Sequence, residues 1–219
     1  MVTEGPHREL LIARHGQGHC NLNRVIAGST CSGLTEEGRA QAQALGKRLA
    51  GEGGVTAIHA STTRRALETA GIVGAALGVP IQEQIDLRFP DAGAAEGQAW
   101  VEARAQWGID PLDPIRPAAE GAESWRTYVD RAAGVLDSIL DEHPGGRVLV
   151  VGHSETIAAM YALLLGSPDL GRLKVGMWYC ALSAWQATRE RPGSVVAHQR
   201  WTLVAHNDAR HVLSGWGTT

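Results

Sequence analysis

Two apolar runs in this chain each end in a histidine: LLIARHG at residues 10–16 and RVLVVGHS at residues 147–154. Runs of this length, rich in Leu, Ile and Val and lacking alternation, read as strands buried on both faces, the kind found in parallel sheets covered by helices. In an open α/β sheet, ligands bind in the crevice outside the carboxyl ends of the strands. His15 and His153 are therefore expected to face one shared site, with Arg14 adding a fixed positive charge. A third run, VTAIHA at residues 55–60, passes through Ser61 into a helix expected to begin near Arg65. Two arginines and two histidines on one sheet edge make a phosphate pocket; Arg64 is the rival to Arg65 and is expected to face solvent.

The stretches between these runs have helical periodicity. Glu36 and Glu37 open a helix whose stripe is Ala42, Leu45 and Leu49, with acidic residues at the positive end of the helix dipole. Ala66, Ala70, Val73 and Leu77 mark a second helix, stopped by Gly78-Val79-Pro80. Trp125, Val129, Ala132, Leu136 and Ile139 trace a long third one, and Ile157, Met160, Tyr161 and Leu164 a fourth after His153. Strands alternating with helices in this way predict an α/β protein, a three-layer α/β/α arrangement around a mostly parallel sheet. CALSAWQAT (180–188) and SVVAHQRWTLVAHN (194–207), separated by Arg191, Pro192 and Gly193, predict a hairpin on the sheet edge. From Gly93 to Gly121 the sequence has no strong period and carries Trp100, Trp107, Pro111, Pro114 and Pro117. A segment of about 94–121 is expected to run irregularly and cover the site.

A chain of 219 residues fits one domain, 1–219. The formal net charge is −3, with no block of Lys and Arg, which argues against nucleic acid or anionic lipid as a partner. MVTEGPHRE at the start is polar, and no apolar stretch reaches the roughly 18–20 residues of a membrane span. The expectation is a soluble cytoplasmic protein without cofactor. Cys20, Cys31 and Cys180 lack metal or CxxC spacing and are expected to be free thiols, Cys180 in the core.

Arg14, His15, Gly16 and Asn21 form RHGxxxxN; Ser61, Arg65, Ala66, Thr69 and Ala70 form SxxxRAxxTA; and VVGHS carries His153. Together with GLTEEGRAQAQALGKRL (33–49) and Glu123-Ser124, this ordered set resembles the phosphoglycerate mutase-like branch of the histidine phosphatase superfamily, over nearly the whole chain. The resemblance implies that fold and transfer of a phosphoryl group to His15, followed by hydrolysis of the phosphohistidine. Arg14, Arg65 and His153 would surround the phosphoryl oxygens, with Asn21, Ser154 and the amides near Gly28 as further substrate contacts. No metal ligand is implied.

One position departs from the pattern. The branch usually carries its general acid in an LxE segment, which here reads Leu87, Arg88, Phe89. A phenyl ring cannot donate a proton. Glu155, two residues beyond His153, is one replacement, because like-charge repulsion from a bound phosphate would favour its protonated form. Glu155 could equally do no more than complement the helix dipole. Asp91, in the same loop as Phe89, is a second candidate, and Glu96 a weaker third. Alternatively, a substrate whose leaving group departs readily needs no acid, and Phe89 then offers it an apolar wall.

The preferred reading is thus a metal-independent phosphatase acting on a small phosphorylated metabolite. The alternatives are a phosphate-binding or regulatory protein that lost turnover, and a mutase-type phosphotransferase, whose usual longer insert is missing here. A metal enzyme using His15 and His19 is disfavoured, since Gly16-Gln17-Gly18 places the pair in a loop rather than on one helix face. The C-terminal strands offer an edge through which a homodimer could form.

Overall fold

A computed structural model describes residues 8–108, 115–166, 175–188 and 200–213. Among the described residues six strands form one sheet: β1 (Arg8–Arg14), β2 (Val55–Ser61), β3 (Ile81–Gln84), β4 (Gly146–Gly152), β5 (Leu182–Thr188) and β6 (Arg200–Asp208), in the order β3-β2-β4-β1-β5-β6. β1 to β4 are mutually parallel, and β5 runs antiparallel to both β1 and β6. The mostly parallel α/β/α arrangement is therefore present, with the expected antiparallel pair at the edge. Residues 189–199, between these two strands, lie outside the described residues, and the predicted Arg191-Pro192-Gly193 connection falls among them.

Strand alternation divides the core in two. Leu10 and Ile12 of β1 and Val148 and Val150 of β4 point to one side. There they meet Val129, Ala132, Leu136 and Ile139 of α5 (Trp125–Glu142) and Ile157 and Met160 of α6 (Ser154–Leu165). Leu11, Ala13, Ile58, Ala60, Leu149 and Val151 point to the other, against Ala42, Leu45 and Leu49 of α2 (Glu36–Glu52) and Ala66, Ala70 and Val73 of α3 (Arg64–Leu77). Both faces of β1 and β4 are buried, which explains why these strands read as continuous apolar runs. Local signals fix the helix starts: Thr35 Oγ1 accepts the Gly38 N–H at the head of α2, and Ser124 Oγ accepts the Thr127 N–H at the head of α5.

Two elements differ from the sequence reading. β3 is a short strand with partly exposed side chains, so it carries no apolar run to announce it. The segment after Gly93 is not uniformly irregular: it holds a 3₁₀ turn at Gly93–Ala95 and a helix, α4 (Trp100–Trp107), ended by Gly108 in the left-handed conformation. Ala103 is the only buried residue of α4, so no apolar stripe marks this helix in the sequence. Pro111 and Pro114 lie outside the described residues. A short helix, α1 (His19–Leu22), follows β1, and α7 (Arg210–Leu213) follows β6.

Candidate active site

The central three strands, β2, β4 and β1, deliver the site. Arg14 of β1 is in register with Gly152 of β4, and the His15 N–H continues the ladder to the Gly152 carbonyl at 2.9 Å. His15 and His153 thus stand one residue past the ends of adjacent strands, with ring centroids 5.1 Å apart. Both are buried. Ser61, the last residue of β2, places its Oγ 3.0 Å from His153 Nε2, and Thr63 Oγ1 lies 3.4 Å from the same nitrogen.

The hydrogen bonds define the histidine tautomers. His15 Nδ1 is 2.7 Å from the Gly16 carbonyl, which can only accept, so Nδ1 carries the proton and Nε2 its lone pair. Arg65 Nε donates to that lone pair at 3.0 Å, and Arg65 Nη2 is 3.4 Å from His153 Nδ1. His153 accordingly accepts at Nδ1 and donates from Nε2 to Ser61. Burial, then the charges of Arg65 and Arg14, hold the His15 pKa well below the usual imidazole value; burial, then Arg65 and His15, do the same to His153. Both rings are neutral at neutral pH.

Arg65 is buried in the first turn of α3, and its Nη1 donates to the carbonyls of Ala27 (2.8 Å) and Gly28 (3.3 Å). Arg64 instead pairs with Glu68 on the surface. Arg14 donates to the Met177 carbonyl at 2.6 Å and stacks on Tyr179 at 4.1 Å, while its buried Nε has no hydrogen-bond partner among the described residues. An unspent N–H in a buried guanidinium is a ready donor for an incoming oxyanion. Asn21 Oδ1 accepts the Gly18 N–H and so orders the turn after His15. That turn lies against α2: a Cβ on Gly38 would stand 2.1 Å from the Gln17 carbonyl oxygen, and one on Gly16 would stand 2.4 Å from the Gly38 carbonyl oxygen.

Phe89 faces the pocket. Its ring meets His153 edge-on at 5.7 Å and lies 5.5 Å from the Arg65 guanidinium carbon. Arg131 holds the loop in place, donating to the carbonyls of Asp86, Arg88 and Phe89 while paired with Glu123 at 2.7 Å. None of the three candidate acids is hydrogen-bonded to His15, His153, Arg14 or Arg65. Asp91 is exposed and accepts the Gly93 N–H. Glu155, in the first turn of α6, is half-buried and accepts from its neighbour Ser154 Oγ at 3.1 Å. Glu96 is occupied otherwise: its carboxylate accepts the N–H groups of Gly28, Ser29 and Thr30 and the Thr30 hydroxyl. These donors pull the Glu96 pKa down against a burial effect that raises it, the opposite of what an acid needs.

Sequence reading missed Tyr179, Thr63 and the Glu96 clamp. Tyr179 stands 6.2 Å from His15, yet nothing in its local sequence separates it from the apolar residues around it. Cys20 and Cys31 are buried free thiols clustered with Ala27, whose carbonyl holds Arg65, and Cys180 is a free thiol in the core.

Residues 10–208 match the family model described as the histidine phosphatase superfamily, branch 1. Over 170 residues the chain is 31% identical to phosphoglycerate mutase-like protein 4 of Arabidopsis thaliana, covering 71% of this chain and 70% of that protein. It is 30% identical over 179 residues to a metal-independent phosphoserine phosphatase of the same plant, covering 78% and 74% respectively. Among solved structures, Bacillus stearothermophilus YhfR superposes with a TM-score of 0.78 at 29% identity, covering 94% of this chain and 99% of that one.

Proposed function

The chain belongs to branch 1 of the histidine phosphatase superfamily, and from that premise we propose that it is a metal-independent phosphoric monoester hydrolase acting on a small phosphorylated metabolite. The observation that carries this reading is His15. Its proton is fixed on Nδ1 by the Gly16 carbonyl, and its Nε2 lone pair is held toward Arg65 in a pocket with two guanidinium groups. The pocket's four converging side chains include no carboxylate to hold a cation, and two fixed positive charges oppose one.

In the reaction so proposed, the substrate phosphoryl group takes the Arg65 Nε–H from His15, freeing Nε2 to attack phosphorus in line with the leaving group. The bond from phosphorus to the leaving oxygen breaks as the N–P bond forms, and the Gly16 carbonyl stabilises the imidazolium through Nδ1–H. Arg14, Arg65 and His153 bear on the oxygens over which charge spreads in the transition state. Water then attacks phosphorus as the N–P bond breaks, releasing dihydrogen phosphate, which carries both water protons, and neutral His15 with its proton on Nδ1.

Phe89 narrows the substrate class. With a ring beside His153 instead of a carboxyl, the site favours a monoester whose leaving group departs as a stabilised anion, such as the enolate of an enol phosphate or the phenolate of an aryl phosphate. Location in the cytoplasm accords with three free thiols.

Turnover of aryl phosphates with graded leaving-group pKa, beside a His15→Ala control and in the presence of a chelator, tests the proposal. The expected result is chelator-insensitive turnover that vanishes in His15→Ala and falls steeply as leaving-group pKa rises. Absence of turnover across the whole series would move the assignment to a phosphate-binding protein.

A further inference from the structure

Away from the phosphate pocket, His59 and His143 bring Nε2 atoms within 3.0 Å of one another, with ring centroids 5.2 Å apart. We infer that His59, His143 and Glu142 form a binding site for one divalent transition-metal ion, Zn²⁺ by the nature of its donors. His59 lies in the middle of β2, is fully buried, and points to the α5 side of the sheet. Glu142 and His143 are the last residue and the C-cap of α5. One ligand atom from each of the three lies within 4.8 Å of the other two. Zn²⁺ takes imidazole nitrogen and carboxylate oxygen at about 2.0–2.2 Å, and three protein ligands with one open position is a common set. The 3.0 Å nitrogen pair needs to open only slightly to hold such an ion, and Glu142 is exposed and free to rotate onto it.

Two further observations support the site. Gln84 of β3 places its amide nitrogen 3.1 Å from His59 Nδ1, and a half-turn of the amide exchanges that nitrogen for its oxygen. With its amide oxygen turned to that nitrogen, Gln84 fixes the proton on Nδ1 and leaves the Nε2 lone pair for the metal, the second-layer contact that metal-ligating histidines almost always make. Gln84 and Glu142 also border an open groove of about 450 Å³ that includes Asp86, Ser138 and Asp130, the last paired with Arg126, so the Gln84–Glu142 edge of the cluster opens to solvent. The arginine in that groove, Arg131, is committed to Glu123 and to backbone carbonyls. The ion would tie β2 to the end of α5. It would take no part in chemistry at His15.

The full-length chain, freed of metal by chelation, would be titrated with ZnCl₂ by calorimetry and with Co²⁺ by its visible d–d absorption. One equivalent should bind, with the intense Co²⁺ spectrum of a four-coordinate site. A hundredfold excess over Kd should raise Tm by about 5 °C or more. His143→Ala, at a half-buried position, should abolish stoichiometric binding, and Gln84→Ala should weaken it about tenfold or more. Circular dichroism of each variant checks that it folds, and His15-dependent phosphatase activity should be unchanged by the metal or by His143→Ala. No stoichiometric binding, or binding of equal strength in His143→Ala/Glu142→Gln, would overturn the proposal. Either result would mean that the two rings simply share a proton or that the ion sits on other histidines.

Discussion

Glu96 offers a sharp test of how the phosphate pocket is held open. Its carboxylate accepts three consecutive backbone N–H groups, from Gly28, Ser29 and Thr30, at 2.9–3.1 Å. The carbonyls of Ala27 and Gly28 in turn hold the Arg65 guanidinium. Glu96→Ala removes all three acceptors at once. Each charge-assisted bond has a gross worth of about 1.5–3 kcal/mol, but the loop is largely solvent-accessible, so water replaces much of it. A net of about 0.7 kcal/mol per bond gives roughly 2 kcal/mol for local order, or about a thirtyfold loss of protection at the three amides. Hydrogen exchange resolved at residues 28–30 measures that directly. Arg65, losing its fixed carbonyl partners, would spend less time in line with His15, and kcat/KM for an aryl phosphate should fall about tenfold to a hundredfold. Tm should change little, because the core clusters are untouched. Exchange within threefold of the parent together with kcat/KM within twofold would refute the reasoning and leave Glu96 as a surface contact.

Other consequences follow from the same geometry. Phe89→Glu places a carboxyl beside His153; it should raise kcat/KM for alkyl phosphates by about a hundredfold while changing p-nitrophenyl phosphate turnover little, within the range of 10² to 10⁴ for general acids. The folded-state pKa values of His15 and His153 are depressed, so below the unfolded value near 6.5 the unfolded chain binds protons that the folded chain does not. Stability is therefore intact above that pH and should decline as pH falls below it. Urea unfolding between pH 8 and 5 should show the loss, and His15→Ala should reduce its slope. Gly38→Ala drives a methyl to 2.1 Å from the Gln17 carbonyl oxygen, whereas a Cβ at Gly51 in the same helix meets nothing within 4 Å. The first should cost about 2 kcal/mol or more and impair turnover; the second should be neutral or stabilising by up to about 1 kcal/mol, read as denaturation midpoints.

Strands β1, β2 and β4 and the four pocket residues were legible in the sequence for one physical reason. β1 and β4 are buried on both faces, so they appear as unbroken apolar runs, and a polar residue directly after such a run must emerge at the sheet's carboxyl edge. Arg14, His15 and His153 are each tied to a run by adjacency alone, and Arg65 by its place in the first turn of a helix that follows one. The helical stripes of α2, α3 and α5 were readable because one face of each is buried. α4 and β3 were not, since each buries too few side chains to leave a period. What only tertiary structure decided are contacts between residues far apart in the chain, none of which has a local pattern. Glu96 meets the loop at 28–30, and Arg131 reaches the carbonyls behind Phe89. Tyr179 lies under Arg14, and His59 meets His143 across 84 positions. Periodicity records which face of an element is buried; it cannot record which distant side chain lies opposite, because that is set by where the packed layers bring two loops together.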